Sequence, residues 1–79
     1  MTKEEILKAV AVQLELEPED LEPEAFWVDD LGVEPIELTE TINRVMEKLG
    51  VDNISEEEVA RIRTVEDLVE LIEEKQEEN

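Results

Sequence analysis

Seventy-nine residues leave room for one small domain, residues 1–79. Twenty-five Asp and Glu against seven Lys and Arg give a formal net charge of −18, which opposes nucleic-acid phosphates and anionic membranes and favours a basic patch on a protein partner. With no cysteine, histidine or tyrosine, disulfides, thiolate metal sites and the commonest catalytic bases are excluded, and the chain is not expected to be an enzyme.

The first element opens on Thr2-Lys3-Glu4-Glu5, a capping box in which the threonine accepts from the third amide and Glu5 reaches back. Ile6, Leu7, Val10 and Leu14 then recur at helical spacing. The helix is expected to end near Leu16, because Pro18 disfavours helical backbone at Glu17. From Glu17 to Val33 neither a period of 2 nor one of 3.6 persists. Pro18 and Pro23 punctuate the stretch, and a short helical turn fits near Glu19–Leu21. Leu21, Phe26, Trp27, Val28, Leu31 and Val33 are expected to fold this long loop onto the helices, with Trp27 in or beside the core.

A second long helix is predicted from about Pro35, a residue suited to a first helical position, to Leu49, with Gly50 as a left-handed stop. Its buried stripe is Leu38, Ile42, Val45 and Leu49. Ser55-Glu56-Glu57-Glu58 caps a third, short helix whose weak apolar face is Val59 and Ile62. Thr64, with Asp67 three residues on, caps the fourth, which turns Val65, Leu68, Val69 and Ile72 inward. The charged tail from Glu73 to Asn79 has no apolar residue and is expected to fray. The predicted fold class is all-α: a small four-helix bundle of three longer helices and one short one, with a long loop after the first. The carboxylate runs match first-turn helix charge and a solvated tail, and no calcium-loop spacing occurs, so no metal site is expected. Neither a membrane span nor a signal-peptide core is visible, so a cytoplasmic monomer is expected.

The middle of the chain, Trp27-Val28-Asp29-Asp30-Leu31-Gly32-Val33-Glu34-Pro35-Ile36-Glu37-Leu38, resembles the acyl carrier protein family. That family carries Asp-Leu-Gly, a small residue, and Asp-Ser-Leu at the start of its second helix. Ile62-Arg63-Thr64-Val65 is similar to the segment that opens the family's last helix, and the likeness spans roughly residues 3 to 73. The resemblance implies an acyl-carrier-like bundle of fatty-acid or polyketide-type metabolism. It also implies a 4′-phosphopantetheine cofactor on the serine of Asp-Ser-Leu. Here Glu34-Pro35-Ile36 stands at that motif, and Pro35 has no hydroxyl to form the phosphodiester, so no bound cofactor is expected.

On a helical wheel Ile36, Glu37, Glu40, Arg44 and Glu47 fall opposite the buried stripe. Ile36 is the odd member. Either the preceding loop covers it, with Val33 as its neighbour, or it is an apolar knob ringed by carboxylates. The resemblance implies that Glu34, Ile36, Glu37, Glu40 and Glu47 dock on basic patches of enzymes of acyl-chain metabolism. Asn43 and Arg44 depart from the apolar residues usual in the family, and Arg44 is placed to pair with Glu40 one turn earlier. Two readings follow: a non-catalytic interaction module that has lost its prosthetic-group site, or a carrier altered at the attachment position.

Overall fold

The computed structural model describes residues 1–77. Helix α1 spans Lys3–Leu14, α2 spans Leu38–Lys48, α3 spans Glu56–Val59 and α4 spans Val65–Glu77, with 3-10 turns at Pro18–Asp20 and Pro35–Glu37. Helix α1 packs on α2 and α4, and α2 packs on α3. The described residues form no strand, and the fold is the expected small all-α bundle.

The core follows the helical periods. Ile6, Val10 and Ala11 are buried on α1, Ile42, Val45 and Met46 on α2, and Val65, Leu68, Val69 and Ile72 on α4. Leu7, Leu14, Leu38 and Leu49, expected in the inner stripes, are only partly buried and pack against the rim of this core. Met46 takes the place that the predicted stripe of α2 left to Leu49. Its carbonyl also accepts from Val51 N at 2.9 Å as the chain leaves the helix, beyond Gly50 at φ 70°.

Three element boundaries differ from the sequence reading, each for a local reason. Helix α1 stops at Leu14, two residues early: Glu15 adopts the left-handed conformation at φ 58°, and Leu16 N donates to Ala11 O at 2.9 Å, closing a Schellman-type end. Helix α2 begins at Leu38 rather than at Pro35. Glu34 precedes it in extended conformation with no side-chain cap, so the first turn tightens into a 3-10 turn, with Glu37 N donating to Glu34 O at 2.9 Å. The charged stretch from Glu73 onward, where fraying is expected, continues α4 to Glu77. Lys75 pairs there with Glu58 of α3 at 3.3 Å, and residues 78–79 lie outside the described part.

The long loop is fastened to the start of α4. Trp27 N donates to Arg63 O at 3.0 Å, Val65 N to Ala25 O at 3.0 Å, and Glu66 N to Pro23 O at 2.8 Å. Trp27 itself is fully buried, and its indole Nε1 donates to Thr64 O at 3.0 Å. This stitching carries the chain from the α4 end of the bundle back to the start of α2 and sets where residues 34–37 emerge.

Candidate functional site

The chain turns from the loop into α2 through Asp30-Leu31-Gly32-Val33. Val33 is buried and held by a bond from its N–H to Trp27 O at 3.0 Å. Because Val33 points inward, the next four residues are left outside. Glu34, Pro35, Ile36 and Glu37 are all exposed, and Ile36 has 89% of its surface in water. Of the two readings of Ile36, the structure selects the uncovered knob: Val33 fills the core rather than shielding its neighbour.

Past the 3-10 turn, Glu40, Arg44 and Glu47 continue the exposed face along α2. The expected Glu40–Arg44 pair forms, with Arg44 Nη2 2.6 Å from Glu40 Oε1. Lys48 lies beside them, one turn beyond Arg44. Together with Gln13 and Asn43, these side chains line an open groove between α1 and α2. Glu34, Ile36, Glu37, Glu40 and Glu47 are all exposed, and of these Glu40 and Glu47 line the groove, where Arg44 and Lys48 make the charge mixed.

The loop adds an apolar shoulder that the wheel of α2 could not show. Phe26 and Val28 are 45% and 38% exposed. With Trp27, Asp29, Leu38, Ile62 and Arg63 they line a shallow depression between the loop, the first turn of α2 and the approach to α4. Three consecutive apolar residues, Phe26-Trp27-Val28, carry no period that would separate the inward ring from the outward side chains.

Asn43 is the residue whose role the sequence did not disclose. Its side chain accepts from Ile54 N at 2.9 Å and donates to Ile54 O at 3.3 Å, so the polar position tethers the loop before α3 to α2. Downstream, Ser55 and Glu58 cap α3 reciprocally. Backbone donation from Ser55 and the nearby Lys75 hold the Glu58 carboxyl below its ordinary value.

Comparison with known proteins places this arrangement. The family model for the phosphopantetheine attachment site matches residues 4–72. The acyl carrier protein of Chlamydia trachomatis is 36% identical over 77 residues, covering 96% of this chain and 99% of its own length. The acyl carrier protein of Solidesulfovibrio magneticus is 36% identical over 72 residues, covering 91% of each. The meromycolate extension acyl carrier protein of Mycobacterium tuberculosis is 36% identical over 83 residues, covering this chain fully and 71% of its own.

A phosphopantetheine arm needs a side-chain hydroxyl for its phosphodiester. Pro35 presents a saturated ring. The next hydroxyl along the chain is that of Thr39, a half-buried residue four positions beyond Pro35 and second in α2. The residues at the start of α2 therefore do not fit covalent attachment there. Acyl carriers move cargo between enzymes and are not themselves catalysts, and this protein is not an enzyme. The chain belongs to the phosphopantetheine attachment-site family, among the acyl carrier proteins.

Proposed function

We propose that this protein is a carrier-type docking module of acyl-chain metabolism. It engages a basic enzyme surface through Ile36 and the carboxylates Glu34, Glu37, Glu40 and Glu47, and it carries no phosphopantetheine on Pro35. The observation that carries this reading is Ile36: an 89% exposed branched apolar side chain between two exposed carboxylates. An exposed knob of this kind gains its stabilisation from burial in a partner's pocket. The surrounding negative charge, set within an overall −18, steers a cationic partner towards it. Among the described residues no helix is long and apolar enough to cross a membrane, and we take the working form to be a cytoplasmic monomer.

Two measurements test the reading. The protein is incubated with coenzyme A and a broad-specificity phosphopantetheinyl transferase, and its intact mass is recorded. The expected result is no change, whereas a gain of one phosphopantetheine overturns the statement about cargo. Recovery of enzymes of acyl-chain metabolism on the immobilised chain is then compared with recovery on Ile36→Ala/Glu40→Lys. Loss on the variant is expected, and equal recovery overturns the docking face. The near full-length match to proteins named acyl carriers favours a second reading, a working carrier altered at the attachment position. A mass gain located on another hydroxyl would establish it.

A further inference from the structure

The fold leaves further apolar side chains in water close to Ile36. Of the large apolar residues exposed among the described ones, Phe26, Val28 and Ile36 fall within residues 26–36. Single exposed apolar residues are ordinary, whereas a cluster gains stabilisation when another surface covers it. The ring of Phe26 has no structural task that would explain it. Its N–H donates to Asp30 Oδ2 at 2.8 Å, and its carbonyl accepts from Asp30 N and Leu31 N at 3.0 Å. These bonds are made by the Phe26 backbone, and a smaller side chain would leave them in place.

Phe26 and Val28 rim the depression described above, which holds about 340 Å³. Buried Trp27 and Ile62 form its floor. Leu38 bounds it on the α2 side, two positions beyond Ile36, so knob and hollow begin within one turn of each other. The volume lies at the bottom of the range of about 300–1,000 Å³ for small-molecule pockets, and it suits one large side chain. The lining carries one acid, Asp29, and one base, Arg63. The chain that leads through it is not balanced in this way. From Ala9 to Asn43 it has eleven carboxylates, all exposed, and no lysine or arginine.

We propose that this depression is a second anchor of the docking surface: it receives a large apolar side chain, leucine or aromatic, that projects from a protein partner between lysines or arginines, while Ile36 enters the partner. The inference rests on Ile36 and its carboxylates being a docking site, as proposed above, and adds a further contact with its chemistry. Apolar anchors seated in desolvated pockets carry most of the energy of an interface, and the carboxylates around this one steer a cationic surface towards it.

The probes are two synthetic peptides, one with a single leucine among lysines and one with serine in its place. Trp27 lines the depression, so its indole N–H and the amides of Phe26, Val28 and Leu38 report occupancy by NMR. The serine peptide should bind through charge alone, equally to the native chain and to Phe26→Ser/Val28→Ser. The leucine peptide should shift the reporting signals and bind the native chain about fivefold more tightly than the double variant. Phe26→Leu should keep that gain. Val12→Ser, which alters a 63% exposed side chain on α1, should leave it unchanged. Circular-dichroism melts verify that each variant folds. Equal affinity of the two peptides for the native chain, equal affinity of the leucine peptide for native chain and double variant, or shifts confined to other surfaces overturn the anchor. Recovery of enzymes of acyl-chain metabolism on the immobilised chain separates the anchor from the docking site beneath it. Loss on Ile36→Ala/Glu40→Lys with full recovery on Phe26→Ser/Val28→Ser overturns the anchor alone, and full recovery on both overturns the docking site and the anchor together.

Discussion

The indole Nε1 of Trp27 donates to the carbonyl of Thr64 at 3.0 Å, joining the loop after α1 to the residue that caps α4. Thr64 accepts from Asp67 N through its hydroxyl at 3.2 Å, so one residue closes the last helix and anchors the loop. The loop in turn places Val33 in the core and Ile36 outside it. The geometry of the candidate docking face therefore depends on a contact between residues 37 positions apart.

Replacing Trp27 separates the bond from the bulk around it. Trp27→Phe keeps most of the buried ring and loses the donor, leaving the Thr64 carbonyl short of a partner at a cost of about 1–2 kcal/mol. Trp27→Ala is expected to cost about 3–5 kcal/mol, a large share of the stability of so small a protein. Urea denaturation monitored by circular dichroism checks both, and a Trp27→Phe midpoint equal to that of the native chain would contradict a specific role for the bond.

Asn43→Ala removes both hydrogen bonds to the Ile54 backbone. With Ile54 N–H and C=O partly buried and left without that partner, a loss of about 1–3 kcal/mol is expected. Hydrogen exchange should localise the effect, with the Ile54 amide losing protection while amides of α1 change only as global stability falls. Unchanged protection at Ile54 would show that water replaces the side chain at no cost.

Asp67 gives stability a definite acid dependence. Its carboxylate accepts from Arg63 N at 2.9 Å and Thr64 N at 3.0 Å, and these bonds, chiefly the one from Arg63, hold its pKa below the ordinary 3.8. A carboxyl whose folded value is depressed contributes fully above its unfolded value, and the contribution disappears as pH falls through the folded value. The melting temperature of the native chain should therefore exceed that of Asp67→Asn by a constant margin above about pH 5. The gap should narrow as acid is added below 3.8. A gap independent of pH would assign the effect to packing instead of charge.

Salt should stabilise this protein. A formal charge of −18 on 79 residues repels itself across a bundle with a Cα radius of gyration of 11.4 Å. That distance is close to the Debye length of about 10 Å at 0.1 M ionic strength. The ion pairs Lys3–Glu66, Arg44–Glu40 and Lys75–Glu58 relieve a small part of the repulsion. Raising sodium chloride from low to near-molar concentration, or adding millimolar magnesium, should raise the melting temperature. A flat profile would mean that the carboxylates are already spaced beyond effective repulsion.

How much of this was legible without coordinates differs from one element to the next. Ser55 and Thr64 were readable as caps because capping depends on residues three apart in sequence, and both bonds form as the spacing requires. Val65, Leu68, Val69 and Ile72 were readable as core because a helix fixes which side chains share a face. The start of α2 was not, since proline at a first helical position is compatible with either an α or a 3-10 turn. The missing cap at Glu34 decided between them. The far end of α4 was not legible for a different reason. Its residues carry no apolar stripe, and the contact that extends order there, Lys75 with Glu58, joins two helices.

The sequence by itself determined the helices, their caps, the acidic balance and the absence of a hydroxyl at Pro35, because each is a property of a residue or of neighbours within one turn. Only the tertiary structure decided whether Ile36 would be sheltered or bare, what Asn43 was for, and that Phe26 and Val28 flank the start of α2. Those outcomes depend on how a seventeen-residue loop without periodicity, residues 17–33, lies against the helices. Its path is set by Trp27 finding the Thr64 carbonyl, a long-range contact that local spacing does not encode.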